Sequence, residues 1–293
     1  MHPKRNPGSN HRREGREREF RGSPCYSNLS SLDFQALFFT EANTFLSIDR
    51  LHAYTLPQGE GPPDPRATMA RYLLNMALCS SLYAPLQLCE IALRNAIHAQ
   101  LSKIAGSEAW YDATNFPLTA WAETEINKAK LKLERRNKPV TPGRMVAELT
   151  FGFWTHLFED HYERNTAFLP RGIKAIFKHL PKSLHNRKTI KRDLESIRQL
   201  RNRVFHHERI IHFKDLDSIH AHIHTVIGWI SPSLHSLANT LDQFSQLRAQ
   251  GLRPWLQQFQ HSHKPTEPRI TIQASHRTAQ GLTAIKDQGH RTP

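Results

Sequence analysis

Residues 67–101 carry apolar side chains at helical spacing almost without a break, and that run commits the chain to long helices. Leu86, Ile91, Leu93, Ala96 and Ile97 spread beyond a narrow stripe, so burial on more than one side is expected. Pro85 is expected to end one helix or open the next. The same period recurs elsewhere. Phe34, Leu37, Phe38, Phe45 and Ile48 form one stripe, with Asp33 placed to cap its start. Gln58-Gly59-Glu60-Gly61-Pro62-Pro63 is a break. Residues 118–136 read as a polar amphipathic helix, and Thr141-Pro142-Gly143 leads into another over 145–158. Leu169-Pro170 and Leu180-Pro181 punctuate a shorter segment. Ile190, Leu194, Ile197, Leu200 and Val204 mark the inner face of a helix over 189–205. Helices over 216–230 and 234–247 follow, divided at Ser231-Pro232. Strand-like alternation is confined to short pieces such as 270–272. The expected fold class is all-α, a bundle of long helices.

Folding is expected over residues 31–256, in one helical domain. Residues 1–30 and 257–293 are basic and poor in apolar side chains, and are expected to be disordered tails. Lys and Arg number 40 against 26 Asp and Glu, a formal charge of +14 with neutral histidines. That excess favours polyanionic partners and salt-sensitive association. Cys25, Cys79 and Cys89 form no C-x-x-C pair, and an odd count argues against a disulfide framework, so a reducing cytoplasm is expected. No apolar run is read as reaching the ~20 residues of a membrane span, and residues 1–30 lack the apolar core of a secretory signal.

The chemistry concentrates in Arg201-Asn202-Arg203-Val204-Phe205-His206-His207-Glu208, at the end of the periodic helix over 189–205. Arginine stays charged near neutrality, while histidine exchanges a proton there. Five residues apart on an ideal helix, Arg201 and His206 stand about 140° apart around the axis and about 7.5 Å along it. They share no narrow stripe, so Arg201 must lean toward a ligand held near His206. Asn202, one turn before His206, is placed to orient that imidazole, and Glu208 to fix the tautomer of either histidine. Spacing alone also allows a structural role: Arg201 and the histidines would favour the negative end of the helix.

The run Leu200-Arg201-Asn202-Arg203-Val204-Phe205-His206-His207-Glu208-Arg209-Ile210-Ile211 resembles the signature of the Abi-like proteins, the AbiD/AbiF type of the HEPN superfamily, whose pattern is R-x4–6-H. Glu90-Ile91-Ala92-Leu93-Arg94-Asn95 resembles that family's E-x-A-L-R-N helix, and Leu149-Thr150-Phe151-Gly152-Phe153-Trp154 its L-T-F-G-F-W segment. Arg50-Leu51 and Tyr54 fit the same order. The resemblance covers roughly residues 30–250 and leaves the tails outside. It implies a HEPN-like helical bundle, a metal-independent endoribonuclease, and a composite site built by a homodimer. Abortive infection, phage defence or a toxin role, with an antitoxin or small RNA as possible partner, belong to the same implication.

The residues suit that chemistry. RNA cleaves itself when its 2′-hydroxyl attacks the adjacent phosphate, leaving a 2′,3′-cyclic phosphate and a 5′-hydroxyl. Histidine, with an ordinary pKa near 6.5, can take the first proton and return the second. The planar fork of arginine matches phosphate oxygens. His206 and Arg201 are the catalytic candidates, with Asn202, His207 and Glu208 in support; no cofactor is called for. A second proton-transfer group comes either from a second subunit or from His207. Arg198, Arg203, Arg94 and Asn95 are weaker RNA-binding candidates, although Arg94 is as readily paired with Glu90. The alternative function is RNA binding without cleavage.

Phe151, Phe153 and Trp154 could stack on bases but are expected in the core. Lys128, Lys130, Lys132, Arg135, Arg136 and Lys138 form either a backbone track or a solvated helix face. His220 and His224 lie one turn apart and could share a metal, but a solvated face is the expectation.

Overall fold

A computed structural model describes residues 31–55, 64–113, 116, 118–164 and 168–260. The break over 58–63, residues 270–272, Cys25 and most of both expected tails lie outside them. Among the described residues every regular element is helical, as the periodicity requires.

Helix α3, Pro65–Ala105, is the axis of the body. Asp64 caps its start, accepting from the Arg66 N–H at 2.9 Å, and Pro65 supplies the first helical turn. Gly106, at φ 69°, ends it in the left-handed conformation open to glycine. The helix runs on for 41 residues, about 60 Å. It therefore passes through Pro85, which neither ends nor opens a helix. A proline there lacks the N–H for the Ser81 carbonyl, a loss of about 3 kcal/mol in an unsupported helix. Support comes from packing: α8 (Phe168–Ile176), α9 (Arg187–Phe205), α10 (Leu216–Ile230), α11 (Pro232–Leu241), α12 (Phe244–Gln250) and α13 (Arg253–Gln260) all lie against α3. Leu82 and Leu86, on either side of the proline, are fully buried.

By length and composition α3 could cross a membrane, which corrects the expectation that no run reaches that length. Part of its apolar surface is taken up by protein, while Met76 and Tyr83 stay exposed. Leu74, Leu78, Leu82, Leu93 and Ile97 belong to the main core, and the buried side chains include Arg71, Asn75 and Gln100.

Helix α1 (Ser31–Leu46) departs from expectation twice. Asp33, expected at its start, lies within it. Its inward face is Phe39, Ala42 and Leu46, packed on a second cluster of Leu51, Tyr54, Met69, Tyr72 and Phe259. Phe38 and Phe45 are exposed, and Ile48 belongs to the next helix, α2 (Ile48–His52). Phe259 also explains why α13 runs past the boundary expected at residue 256.

Helix α4 (Ala120–Arg135) matches its expectation. The helix expected over 145–158 is two, α5 (Pro142–Glu148) and α6 (Phe151–His156). Leu149 is extended at ψ 133°, and the Thr150 hydroxyl caps α6 by accepting from the Phe153 N–H at 3.3 Å. The break turns Phe151, Phe153 and Trp154 fully into the core. A short α7 (Asp160–Arg164) precedes α8. The helix expected over 234–247 divides at Asp242 into α11 and α12. In α9 all five inner-face residues, from Ile190 to Val204, are buried as expected.

Candidate functional site

Helix α9 ends where its chemistry begins. His206 is the cap residue, and His207 turns left-handed at φ 58°. The Glu208 N–H reaches the Arg203 carbonyl at 2.8 Å and the His207 N–H the Val204 carbonyl at 3.2 Å. These two bonds define a Schellman closure with histidine where glycine is usual. A left-handed histidine costs about 1 kcal/mol, so something must hold it. Arg50 donates to the His207 carbonyl at 3.1 Å. Asn75, buried on α3, donates to the Glu208 carbonyl at 3.3 Å and accepts from the N–H groups of Ile210 and Ile211 at 2.7 and 3.3 Å.

Arg201 leans away from the helix axis. Its Nε donates to Glu90 Oε2 on α3 at 3.1 Å, between side chains 26% and 17% exposed. Its guanidinium lies over the Phe205 ring, 4.5 Å from the centroid. Phe205 in turn stacks on Tyr83 of α3 at 5.2 Å. One layer therefore runs from Glu90 through Arg201 and Phe205 to Tyr83. His206 is exposed at the helix end, and among the described residues Arg201 is bonded to Glu90 and Asn202 and not to His206. His207 instead lines a cleft of about 620 Å³ with Phe45, Arg50, Asn75, Met76 and Tyr83.

The two polar neighbours expected to steer an imidazole do other work. Asn202 Oδ1 accepts from Arg201 at 3.5 Å, and only its main-chain carbonyl meets His206. The Glu208 carboxylate pairs with Arg203 at 2.9 Å. In both cases a guanidinium, carrying full charge, outcompetes a neutral ring for the acceptor.

The Abi-like protein family matches residues 64–212, half of the chain. This chain belongs to the Abi-like protein family. No curated protein and no solved structure matches it. The matched span opens at the cap of α3 and closes just after the turn held by Asn75. It encloses Glu90, Arg201 and the packing of α6 on both α3 and α9. The distant pair Glu90–Arg201 thus joins two of the stretches by which the sequence resembles Abi-like proteins.

The weaker candidates of this Abi-like chain are dispersed. Arg198 binds Glu195 through two bonds of 2.9 and 2.6 Å, which hold that carboxyl below its ordinary range. It lines a separate recess with Trp121, His156 and Lys191. Arg203 lies over the Phe213 ring at 4.9 Å. The Arg94–Glu90 pair is not formed, because Glu90 turns to Arg201. Arg94 Nε is buried without a hydrogen-bond partner among the described residues, and Asn95 is exposed. In the basic cluster Lys128, Lys130, Lys132 and Arg136 are paired with Glu125, Asp112 and Glu148, which weakens it as a phosphate track. His220 and His224 are buried, not solvated, because α10 packs against α3 and α11.

Asn75, Arg50 and Tyr83 form the parts of the site that sequence reasoning missed or left unassigned. Asn75 carried a signal: an amide inside an apolar run requires a partner. Tyr83 carried none.

Proposed function

We propose that this Abi-like protein is a HEPN-type endoribonuclease that cleaves RNA without a metal in the reaction, in abortive infection or as a toxin-type effector. The observation that carries this reading is the Glu90–Arg201 pair, with Arg201 seated on Phe205. It holds a guanidinium at the surface end of α9, oriented and still reachable by a phosphate oxygen. His206, exposed one residue beyond Phe205, then takes the 2′-hydroxyl proton or gives one to the 5′-oxygen. His207, which lines the cleft, makes the complementary transfer from the same or a second subunit. Phe45, Met76 and Tyr83 leave 84%, 52% and 50% of their surface exposed around that cleft. Apolar surface of this kind favours a partner, and a second copy would bring a second Arg201 and His206 to one strand.

A second reading, RNA binding without cleavage, is favoured by the partners of Arg201, which are Glu90, Asn202 and Phe205 rather than His206. Purified protein with labelled RNA, in buffer with and without EDTA, separates the two. Cleavage in both buffers, lost in Arg201→Ala and His206→Ala with binding retained, supports the nuclease. Retention without product supports the binding module. Equal cleavage by all three proteins removes these residues from the mechanism.

A further inference from the structure

Beyond the matched family span, α10 and the α11–α12 junction bring together His220, His224 and Asp242. The two imidazoles stand one turn apart on one face of α10, the spacing that lets both reach one ion. Asp242 Oδ2 approaches His220 Nε2 at 3.0 Å and His224 Nε2 at 3.6 Å. Tetrahedral donors about 2.1 Å from zinc are separated by about 3.4 Å, and these two distances straddle that value. All the donor atoms lie within 4.8 Å of one another.

Three features make this a built site. Each imidazole is about nine-tenths buried, with side-chain exposures of 11% and 10%. Among the described residues His220 Nε2 and both His224 nitrogens lack a hydrogen bond of good geometry, although Asp242 lies near both rings and the Asn239 side chain near His224. Buried polar atoms without bonds are costly, and one ion shared among them would satisfy them. The surroundings also fix the ligands. Asp242 Oδ1 accepts from the Phe244 N–H at 2.9 Å, and the Phe244 ring stacks on His220 at 4.3 Å. Such outer contacts orient metal ligands.

We propose that His220, His224 and Asp242 bind one divalent transition ion of the zinc class, clamping α10 to the α11–α12 junction. His235, whose ring is 5.8 Å from that of His224, or a water supplies the fourth position. The role is structural. It is independent of the RNA chemistry, because the ligands belong to neither Arg201 nor the turn at His207.

The full-length protein, stripped with EDTA and dialysed, is titrated with cobalt(II) and then with zinc. One equivalent per chain should give the intense visible absorption of tetrahedral cobalt, be displaced by zinc and raise Tm. Asp242→Asn and His224→Gln should weaken uptake by about 100-fold or more, beyond the effect of losing an outer contact. Far-UV circular dichroism of the metal-free variants checks that they fold. X-ray absorption of the zinc-loaded wild type should show two imidazoles, or three where His235 completes the shell, which keeps the test decisive if a variant unfolds. No tetrahedral cobalt, no imidazole shell, or equal uptake by folded variants, as other histidines of the chain would produce, overturns the proposal.

Discussion

Glu90 and Arg201 lie 111 positions apart in sequence, and their pairing fixes α9 on α3. Its contribution can be worked from the geometry. At 3.1 Å two unit charges attract by about 5 kcal/mol at an effective dielectric of ~20 and by little over 1 kcal/mol in water. Exposed pairs net under about 1 kcal/mol, whereas breaking a fully buried one costs about 3–5 kcal/mol. Side chains 26% and 17% exposed fall between these cases, so a coupling of about 1.5–2 kcal/mol is expected. Glu90→Gln keeps the shape and removes the charge; Arg201→Gln does the same on α9. Each alone should lower Tm by about 4–8 °C for a body of this size. The double variant should be little worse than either single one. Urea unfolding of all four proteins gives the coupling energy. A value within about 0.5 kcal/mol of zero, the range of additive sites, would refute the role given to this pair.

Three further outcomes concern stability. His207→Gly relieves a left-handed side chain and should hold or raise stability by up to about 1 kcal/mol in urea unfolding, while His207→Val should lower it; a loss with glycine would contradict the strain. Asn75→Ala strands the Ile210 N–H and frees the turn after α9, and should cost about 2–4 kcal/mol in the same assay; a loss under about 1 kcal/mol would make the amide incidental. Burial lowers the pKa of His98 and His156, so the folded state disfavours their protonation. Their contribution is intact above the ordinary value of 6.5 and is lost as pH falls below it. Tm measured from neutral pH downward should fall there, and fall less in His98→Asn, where Trp110 no longer needs an unprotonated Nδ1; a flat profile would contradict this.

Some of the architecture was legible before any coordinates. The inner face of α9 is unambiguous, since Ile190, Leu194, Ile197, Leu200 and Val204 allow only one helical stripe. Helix α1 allows more than one. Phe34, Leu37, Phe38 and Phe39 fill several faces, and the choice of Phe39, Ala42 and Leu46 is made by Met69, Tyr72 and Phe259, far away in sequence. Pro85 was misjudged for the same reason: local chemistry opposes a helix there, and packing from several sides overrides it. At the site, Arg201 and the histidines stand out by residue type. What each one touches depends on α3. Glu90 belonged to a recognised stretch but was assigned locally to Arg94, four residues on, when its partner was 111 residues away. His220 and His224 read as solvated from their polarity, and only the packing of α10 shows them buried beside Asp242.

The central claim is that Arg201 and His206 act together on one RNA phosphate. Its most direct measurement is the chemistry of the cut ends. RNA of defined sequence, incubated with the wild-type protein in EDTA, should yield 2′,3′-cyclic phosphate and 5′-hydroxyl termini by mass spectrometry, and Arg201→Ala and His206→Ala should yield neither. Fragments bearing 5′-phosphates, or cyclic phosphates made equally by the variants, would contradict it.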